Sequence, residues 1–242
     1  MHQVKRAIIM AAGTGTRMHP VTLTTPKPLV KVNGQSMIES VIEALHKNDI
    51  YEIHIVIGYL KEQFYALKEK YDDLHFIENP YYDTCNNISS LYVARDYLED
   101  TIILDGDQII YDPSILKKEF KYSGYNVIYT DHETDEWVLD VDEHGRVVSC
   151  SDHGADHGWQ LYSISRWSKE DGQRLKNHLE YEFNEKQNRQ IYWDNVALLL
   201  HLEDYHLGIT PMEQHSVVEI DNFYELCAID PSYQTEEDTA HA

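Results

Sequence analysis

Two stretches of this chain have the residue types and spacing to handle phosphate. Asp105-Gly106-Asp107 sets two carboxylates one glycine apart at the end of the apolar run Thr101–Leu104. Oxygen donors of this kind suit a hard divalent cation such as Mg²⁺, which takes one or two carboxylates and keeps its other positions for water and substrate phosphates; the same tripeptide can also serve as a plain turn. Nearer the amino terminus, Ala11-Ala12-Gly13-Thr14-Gly15-Thr16-Arg17 follows the apolar run Ala7-Ile8-Ile9-Met10. Small residues let backbone N–H groups approach a ligand closely, and successive N–H groups in such a turn form a nest for phosphate oxygens. Arg17 brings one fixed positive charge to that nest, and Lys27, framed by Pro26 and Pro28, brings a second. The combination reads as a triphosphate site. It is neither GxxxxGK[ST] nor GxGxxG, since Met18 stands where a third glycine would be.

A second chemistry is written in aromatics placed beside carboxylates. Thr134-Asp135-Glu136-Trp137 and Tyr192-Trp193-Asp194-Asn195 both show it. A quaternary ammonium donates no hydrogen bonds and is held by aromatic faces and nearby negative charge. Trp137, Tyr192 and Trp193 with Asp194 could form such a cage; core packing is the other use of the same residues.

The elements that must position these groups follow from periodicity. Ala7–Met10, Glu52–Gly58, Leu74–Glu78 and Thr101–Leu104 read as strands, the apolar ones buried on both faces. Ser36–Asn48 has apolar residues at helical spacing behind a Ser36/Glu39 capping box, and helices are also expected over Tyr59–Lys70 and Ile88–Leu98. Strand and helix alternate at short spacing, which implies βαβ units and a mainly parallel sheet whose ligands bind beyond the carboxyl ends of the strands. After this the pattern changes. Tyr125–Thr130, a hairpin from Glu136 to Cys150 turning at Asp142–Gly145, and Trp159–Ser165 read as antiparallel strands. They form a small substrate lid, roughly residues 131–200, within a single domain of residues 1–230. Ser168–Gln187 and Trp193–His201 read as helices, and Val217–Asn222 delivers Asp221 at a strand end. Asp221 could equally cap a helix from Asn222 to Ala228. Residues 231–242 are acidic and read as a frayed tail.

AAGxGxR followed by TxxTPKPLVxVNG resembles the signature of nucleotidyltransferases that make sugar nucleotides and CDP-alcohols. The resemblance implies their Rossmann-like α/β fold, a mixed, mainly parallel sheet flanked by helices. It implies that Ala11, Ala12, Gly13, Thr14, Gly15 and Thr16 contact the nucleotide, and that Arg17 and Lys27 are catalytic. Asp107, the last residue of an LDGD segment, would hold Mg²⁺ with Asp221 as its second ligand, leaving Asp105 to shape the turn. The polar loop Asn79–Ser90 would contact the base through Asn86, Ser89 and Ser90, side chains that could otherwise satisfy helix-end donors. Its NNxxSLY string, together with EW and YWDN, is similar to bacterial CTP:phosphocholine cytidylyltransferases. The expected substrates are therefore CTP and phosphocholine, with CDP-choline and pyrophosphate as products. 2-Aminoethylphosphonate and phosphoethanolamine are alternatives, because a primary ammonium wants carboxylates more than aromatic walls. A non-catalytic nucleotide or choline sensor is the more distant alternative, opposed by the intact Arg17, Lys27, Asp107 and Asp221.

Composition narrows the partners. A chain of 242 residues with 42% hydrophobic residues can build a large α/β core. Its formal charge of −22 argues against nucleic acid, favours a cationic substrate, and makes each placed cation informative. No stretch approaches a membrane span, and the first residues lack the apolar core of a signal peptide. Three widely spaced cysteines point to reduced thiols and a cytoplasmic setting. His153 and His157 have the spacing of a helical metal pair, but flanking glycines make their segment a loop.

Overall fold

The structure is a computed structural model in which residues 1–234 are described. Nine strands form one sheet. Numbered along the chain they are β1 (Arg6–Ala11), β2 (Glu52–Ile57), β3 (Leu74–Glu78), β4 (Thr101–Asp105), β5 (Gly124–Thr130), β6 (Val138–Val141), β7 (Val147–Ser151), β8 (Gly158–Trp167) and β9 (Gly208–Pro211). The spatial order is β7-β6-β8-β4-β1-β2-β3, with β5 also on β8 and β9 on β5. The central strands β4, β1, β2 and β3 run parallel. They are parallel because helical crossovers join them, and buried because helices cover both faces: Ile8, Ile9, Ile55, Val56, Ile102 and Leu104 are all sealed from solvent. Each such side chain contributes roughly 1.5–3 kcal/mol on burial. The long strand β8 then turns the sheet antiparallel, pairing with β4, β5 and β6. The segment expected to form a lid is thus continuous with the parallel half of the sheet through shared ladders.

Helices α1 (Met37–His46), α2 (Ile88–Val93), α3 (Lys169–Glu180), α4 (Trp193–Asn195) and α5 (Phe223–Ile229) pack around the sheet. The Ser36/Glu39 box starts α1, with the Ser36 N–H donating to Glu39 Oε2 at 3.4 Å and the Ser36 hydroxyl to the same oxygen at 2.7 Å. Four expected helices are less regular than their periodicity suggests. Lys61–Glu69 winds as a 3₁₀ helix, the segment after Val93 tightens into the 3₁₀ turn Arg95–Tyr97, and α3 and α4 loosen into the π-turns Tyr181–Glu185 and Val196–Leu200. Pro231–Tyr233 makes a further 3₁₀ turn, with the Tyr233 hydroxyl donating to the Lys31 carbonyl at 2.7 Å, so the expected tail is docked at its start. The rest of that tail, 235–242, lies outside the described residues. Among those described, no helix is long and apolar enough to cross a membrane.

One small ribbon lies off the main sheet and matters most for the site. Gln108–Ile110 pairs antiparallel with Val217–Glu219, with Gln108 opposite Glu219. Asp107 and Asp221 flank that pair, 114 residues apart in sequence but at one end of the ribbon.

Candidate active site

The loop after β1 crosses the carboxyl ends of β1 and β4. Gly15 adopts φ +63°, and a Cβ there would stand 2.9 Å from Lys27 Cβ and 3.1 Å from Thr22 Cγ2. Only glycine meets both demands, so the loop can lie directly against Lys27. The Thr22 hydroxyl donates to the Gly15 carbonyl at 2.7 Å and fixes the turn. Gly13 has open space where a Cβ would be, which leaves the backbone clear toward the cavity. Ala11 and Ala12 form the floor of that cavity, and Gly15, Thr16 and Arg17 its wall, within a volume of about 270 Å³. Thr14 lies on the loop outside the lining.

Lys27 is almost buried and sits between two carboxylates. Its ammonium donates to Asp107 Oδ2 at 2.5 Å and to Asp221 Oδ1 at 3.0 Å; Arg17 Nη2 reaches the same Asp221 oxygen at 2.8 Å. Burial works against the charge on Lys27, but Asp107 and then Asp221 outweigh it and hold its pKa well above the ordinary value. Asp221 is available for this because Asn222 takes the cap position of α5, its side chain accepting from the Glu225 N–H at 3.0 Å. The cap alternative for Asp221 is thereby set aside.

The other Asp107 oxygen, Oδ1, is buried without a hydrogen-bonding partner. Asp105, Asp107 and Glu219 each offer one carboxylate oxygen within 4.8 Å of the other two. A set of oxygen donors with an unused buried lone pair matches a hard divalent cation, but the expected second ligand, Asp221, is not in this set: its Oδ1 takes Lys27 and Arg17, and Asp105 and Glu219 stand beside Asp107 instead. Burial, reinforced by Asp107 and Asp194, pushes the Asp105 carboxyl well up. Burial, then Asp107 and Asp105, does the same to Glu219. Concentrated negative charge of this kind is relieved by a cation.

Two readings of the sequence change here. Asp105 is not merely a turn former: the Gly106 N–H closes that turn onto the Met10 carbonyl at 3.0 Å, and the Asp105 carboxylate joins the acidic cluster. Glu219 was missed, although it stands two residues before Asp221 and shares its side of an extended segment, which was a readable signal.

A second cavity of about 320 Å³ adjoins the first through Arg17, Lys27, Asn87, Asp105, Asp107 and Asp221. Trp137 and Tyr192 line it, with ring centroids 6.0 Å apart and planes at 85°. Trp193 does not. Its indole is 2% exposed and packs at 6.1 Å on Tyr125 and 6.2 Å on Trp167, so the expected three-sided cage has two aromatic sides. The acidic side is larger than expected: Asp105, Asp107, Glu136, Asp194, Glu219 and Asp221 all line this cavity.

In the polar loop, Ser90 and Asn87 line the first cavity, whereas Asn86 and Ser89 do not. Ser89 is fully buried, its hydroxyl donating to the Asn86 carbonyl at 2.8 Å, and Asn79 Nδ2 donates to Ser89 and Ser90 Oγ, each at 3.0 Å. Ser89 and Asn86 therefore shape the loop that presents Ser90. Asn87 also lines the second cavity, and its Oδ1 accepts from the Trp193 backbone N–H at 2.8 Å.

Asp194 is buried, and its Oδ1 has no hydrogen-bonding partner. Burial drives its carboxyl up to about 7, with partial relief from the Tyr125 phenol nearby. The folded chain thus holds a proton that the unfolded chain releases near pH 4. Stability attributable to this group is therefore unaffected below that pH, falls between about pH 4 and 7, and stays low above. Asp194→Asn is expected to gain stability relative to the parent across that window, on the order of 4 kcal/mol at pH 8 and near zero at pH 3.5. Urea melts of both proteins across this range measure it; a pH-independent difference would contradict it.

The chain is similar to known proteins along most of its length. A family model described as a MobA-like NTP transferase domain matches residues 7–174. A 2-aminoethylphosphonate cytidylyltransferase of Lancefieldella rimae is 41% identical over 229 residues, covering 94% of this chain and 92% of that protein. A choline-phosphate cytidylyltransferase of Streptococcus pneumoniae is 32% identical over 219 residues, covering 90% and 93%. Among solved structures, the CTP:phosphocholine cytidylyltransferase from Streptococcus pneumoniae superposes with a TM-score of 0.88 at 30% identity, over 96% of this chain and 100% of that one.

Proposed function

The chain belongs to the MobA-like NTP transferase family and is a nucleotidyltransferase of the cytidylyltransferase type, and on that footing we propose that it transfers CMP from CTP to 2-aminoethylphosphonate, releasing pyrophosphate. The observation that supports this acceptor is the composition of the second cavity. With Trp193 in the core, two aromatics face six carboxylates, Asp194 and Glu136 among them. A primary ammonium donates hydrogen bonds and is matched by carboxylates with free lone pairs; a quaternary ammonium cannot use them. The relative at 41% identity carries the same acceptor in its name.

In this reading the triphosphate lies on the Gly13–Arg17 loop, whose backbone N–H groups donate to phosphate oxygens. Arg17 neutralises charge on the departing pyrophosphate, and Lys27 neutralises charge beside the α-phosphate. Asp107, with Asp105, Glu219 and Asp221 around it, would hold Mg²⁺, which when bound offsets negative charge on the α-phosphate. A phosphonate oxygen attacks the α-phosphorus, the bond from that phosphorus to the β-phosphate oxygen breaks, and pyrophosphate leaves with the electron pair. The attacking oxygen is already ionised near neutral pH, so no side chain need remove a proton. Catalysis then rests on positioning and charge neutralisation.

A second reading, phosphocholine as acceptor, draws on the edge-to-face pair Trp137–Tyr192, whose Tyr192 ring is half exposed toward the cavity. Two variants separate the readings. With 2-aminoethylphosphonate, Asp194→Asn is expected to raise the acceptor KM about 10–100-fold and Trp137→Ala only a few-fold, with KM for CTP unchanged in both. The reverse ranking would hand the acceptor site to phosphocholine.

A further inference from the structure

A group of side chains with no part in the cavities above meets where α3 ends and the segment after α4 returns. His178 stands on the last turn of α3, and its Nε2 lies 3.5 Å from Asp204 Oδ2. His201 follows the π-turn Val196–Leu200, and its Nδ1 lies 3.8 Å from the same oxygen. The second nitrogen of each ring is already engaged. His178 Nδ1 is 2.8 Å from the Tyr205 hydroxyl, and His201 Nε2 is 2.9 Å from Glu182 Oε1. Glu182 is itself buried and held by Asn188 Nδ2 at 2.5 Å.

This is the arrangement of metal-binding histidines: one ring nitrogen tied to a hydroxyl or carboxylate that sets orientation, the other free to coordinate. Tetrahedral zinc sites with bonds of about 2.0–2.1 Å place their ligand atoms roughly 3.4 Å apart. The two separations from Asp204 are within a few tenths of an ångström of that. The rings are stacked at 3.9 Å with planes 15° apart, and one nitrogen of each ring and a carboxylate oxygen of Asp204 all lie within 4.8 Å of one another. Burial and the neighbouring His201 lower the pKa of His178. Asp204 is half exposed and leaves an entry path and a fourth position for water.

We propose that His178, His201 and Asp204 bind a divalent transition metal of the zinc class, pinning the end of α3 to the segment that carries Asp194 into the acceptor cavity. The test is thermal unfolding at pH 7.5 in excess Mg²⁺, with and without Zn²⁺, for the parent, Asp204→Ala, His201→Gln and Asp107→Asn. Zn²⁺ at about a hundredfold over its dissociation constant is expected to raise Tm by at least 5 °C in the parent and in Asp107→Asn, and to have little effect in the other two. Co²⁺ titrated into the parent is expected to give the strong visible bands of tetrahedral N/O ligation, a readout that does not depend on how the variants fold. No Tm change and no such bands would overturn the proposal. So would a Zn²⁺ response kept by Asp204→Ala and lost in Asp107→Asn, which would belong to the acidic cluster of the active site.

Discussion

Asp107→Asn is expected to lower kcat on the order of 10³-fold while KM for CTP changes less than about threefold. Asparagine is close in size and still accepts the Lys27 hydrogen bond that Asp107 Oδ2 takes at 2.5 Å. What it removes is the charge and the anionic lone pair at Oδ1, the buried oxygen with no protein partner. If that oxygen serves a cation whose effect grows as charge develops on the α-phosphate, the loss falls on turnover. Binding of the ground-state nucleotide, spread over the Gly13–Arg17 loop, is largely spared. Steady-state pyrophosphate release over a Mg²⁺ titration measures it. Equal losses in kcat and in affinity for CTP would assign Asp107 a binding role instead.

Lys27→Met is expected to reduce kcat/KM by about 10²–10³, and to destabilise the free protein by roughly 2–4 kcal/mol at pH 7.5, since solvent reaches Asp221 and screens part of the interaction. The ammonium sits among carboxylates from both sides of the ribbon, and without it Asp107 and Asp221 face Asp105 and Glu219 uncompensated. Two consequences separate this from a general packing loss. The destabilisation should shrink toward pH 4 as carboxyls take up protons, and millimolar Mg²⁺ should restore part of it by replacing the lost charge. Lys27→Arg should not rescue activity, because the ammonium is a single point donor between Asp107 Oδ2 at 2.5 Å and Asp221 Oδ1 at 3.0 Å, a geometry that a planar guanidinium on a longer stem does not reproduce. A Lys27→Met protein as stable as the parent at every pH would contradict the ion-pair account.

The local part of this site was legible in the sequence because its chemistry is local. Gly13 to Arg17 and Lys27 lie within fifteen residues, and the apolar run before them specifies a buried parallel strand that ends where the loop begins. Asp107 was legible for the same reason, sitting just past β4. Asp221 was different. From its own neighbours it could cap a helix, and only the pairing of Val217–Glu219 with Gln108–Ile110 and the presence of Asn222 as cap decide the matter. Tyr192 and Trp193 are adjacent and of similar character, yet one faces the cavity and the other fills the core. That division depends on Tyr125 and Trp167, which the fold brings to Trp193 from strands β5 and β8. The uneven helices were not legible either: Tyr181–Glu185 and Val196–Leu200 widen into π-turns beside the His178–His201 stack, which no periodicity announces.

The central claim is the acceptor, and it is tested most directly by pyrophosphate release with Mg²⁺ and CTP, run in parallel on 2-aminoethylphosphonate, phosphoethanolamine and phosphocholine. The carboxylate-rich cavity predicts that kcat/KM for 2-aminoethylphosphonate exceeds that for phosphocholine by at least about tenfold, the equivalent of roughly one charge-assisted hydrogen bond. A lead for phosphocholine of the same size would contradict the account: Trp137 and Tyr192 would then govern the acceptor, and the six carboxylates would serve a metal ion and the Lys27 and Arg17 cations alone.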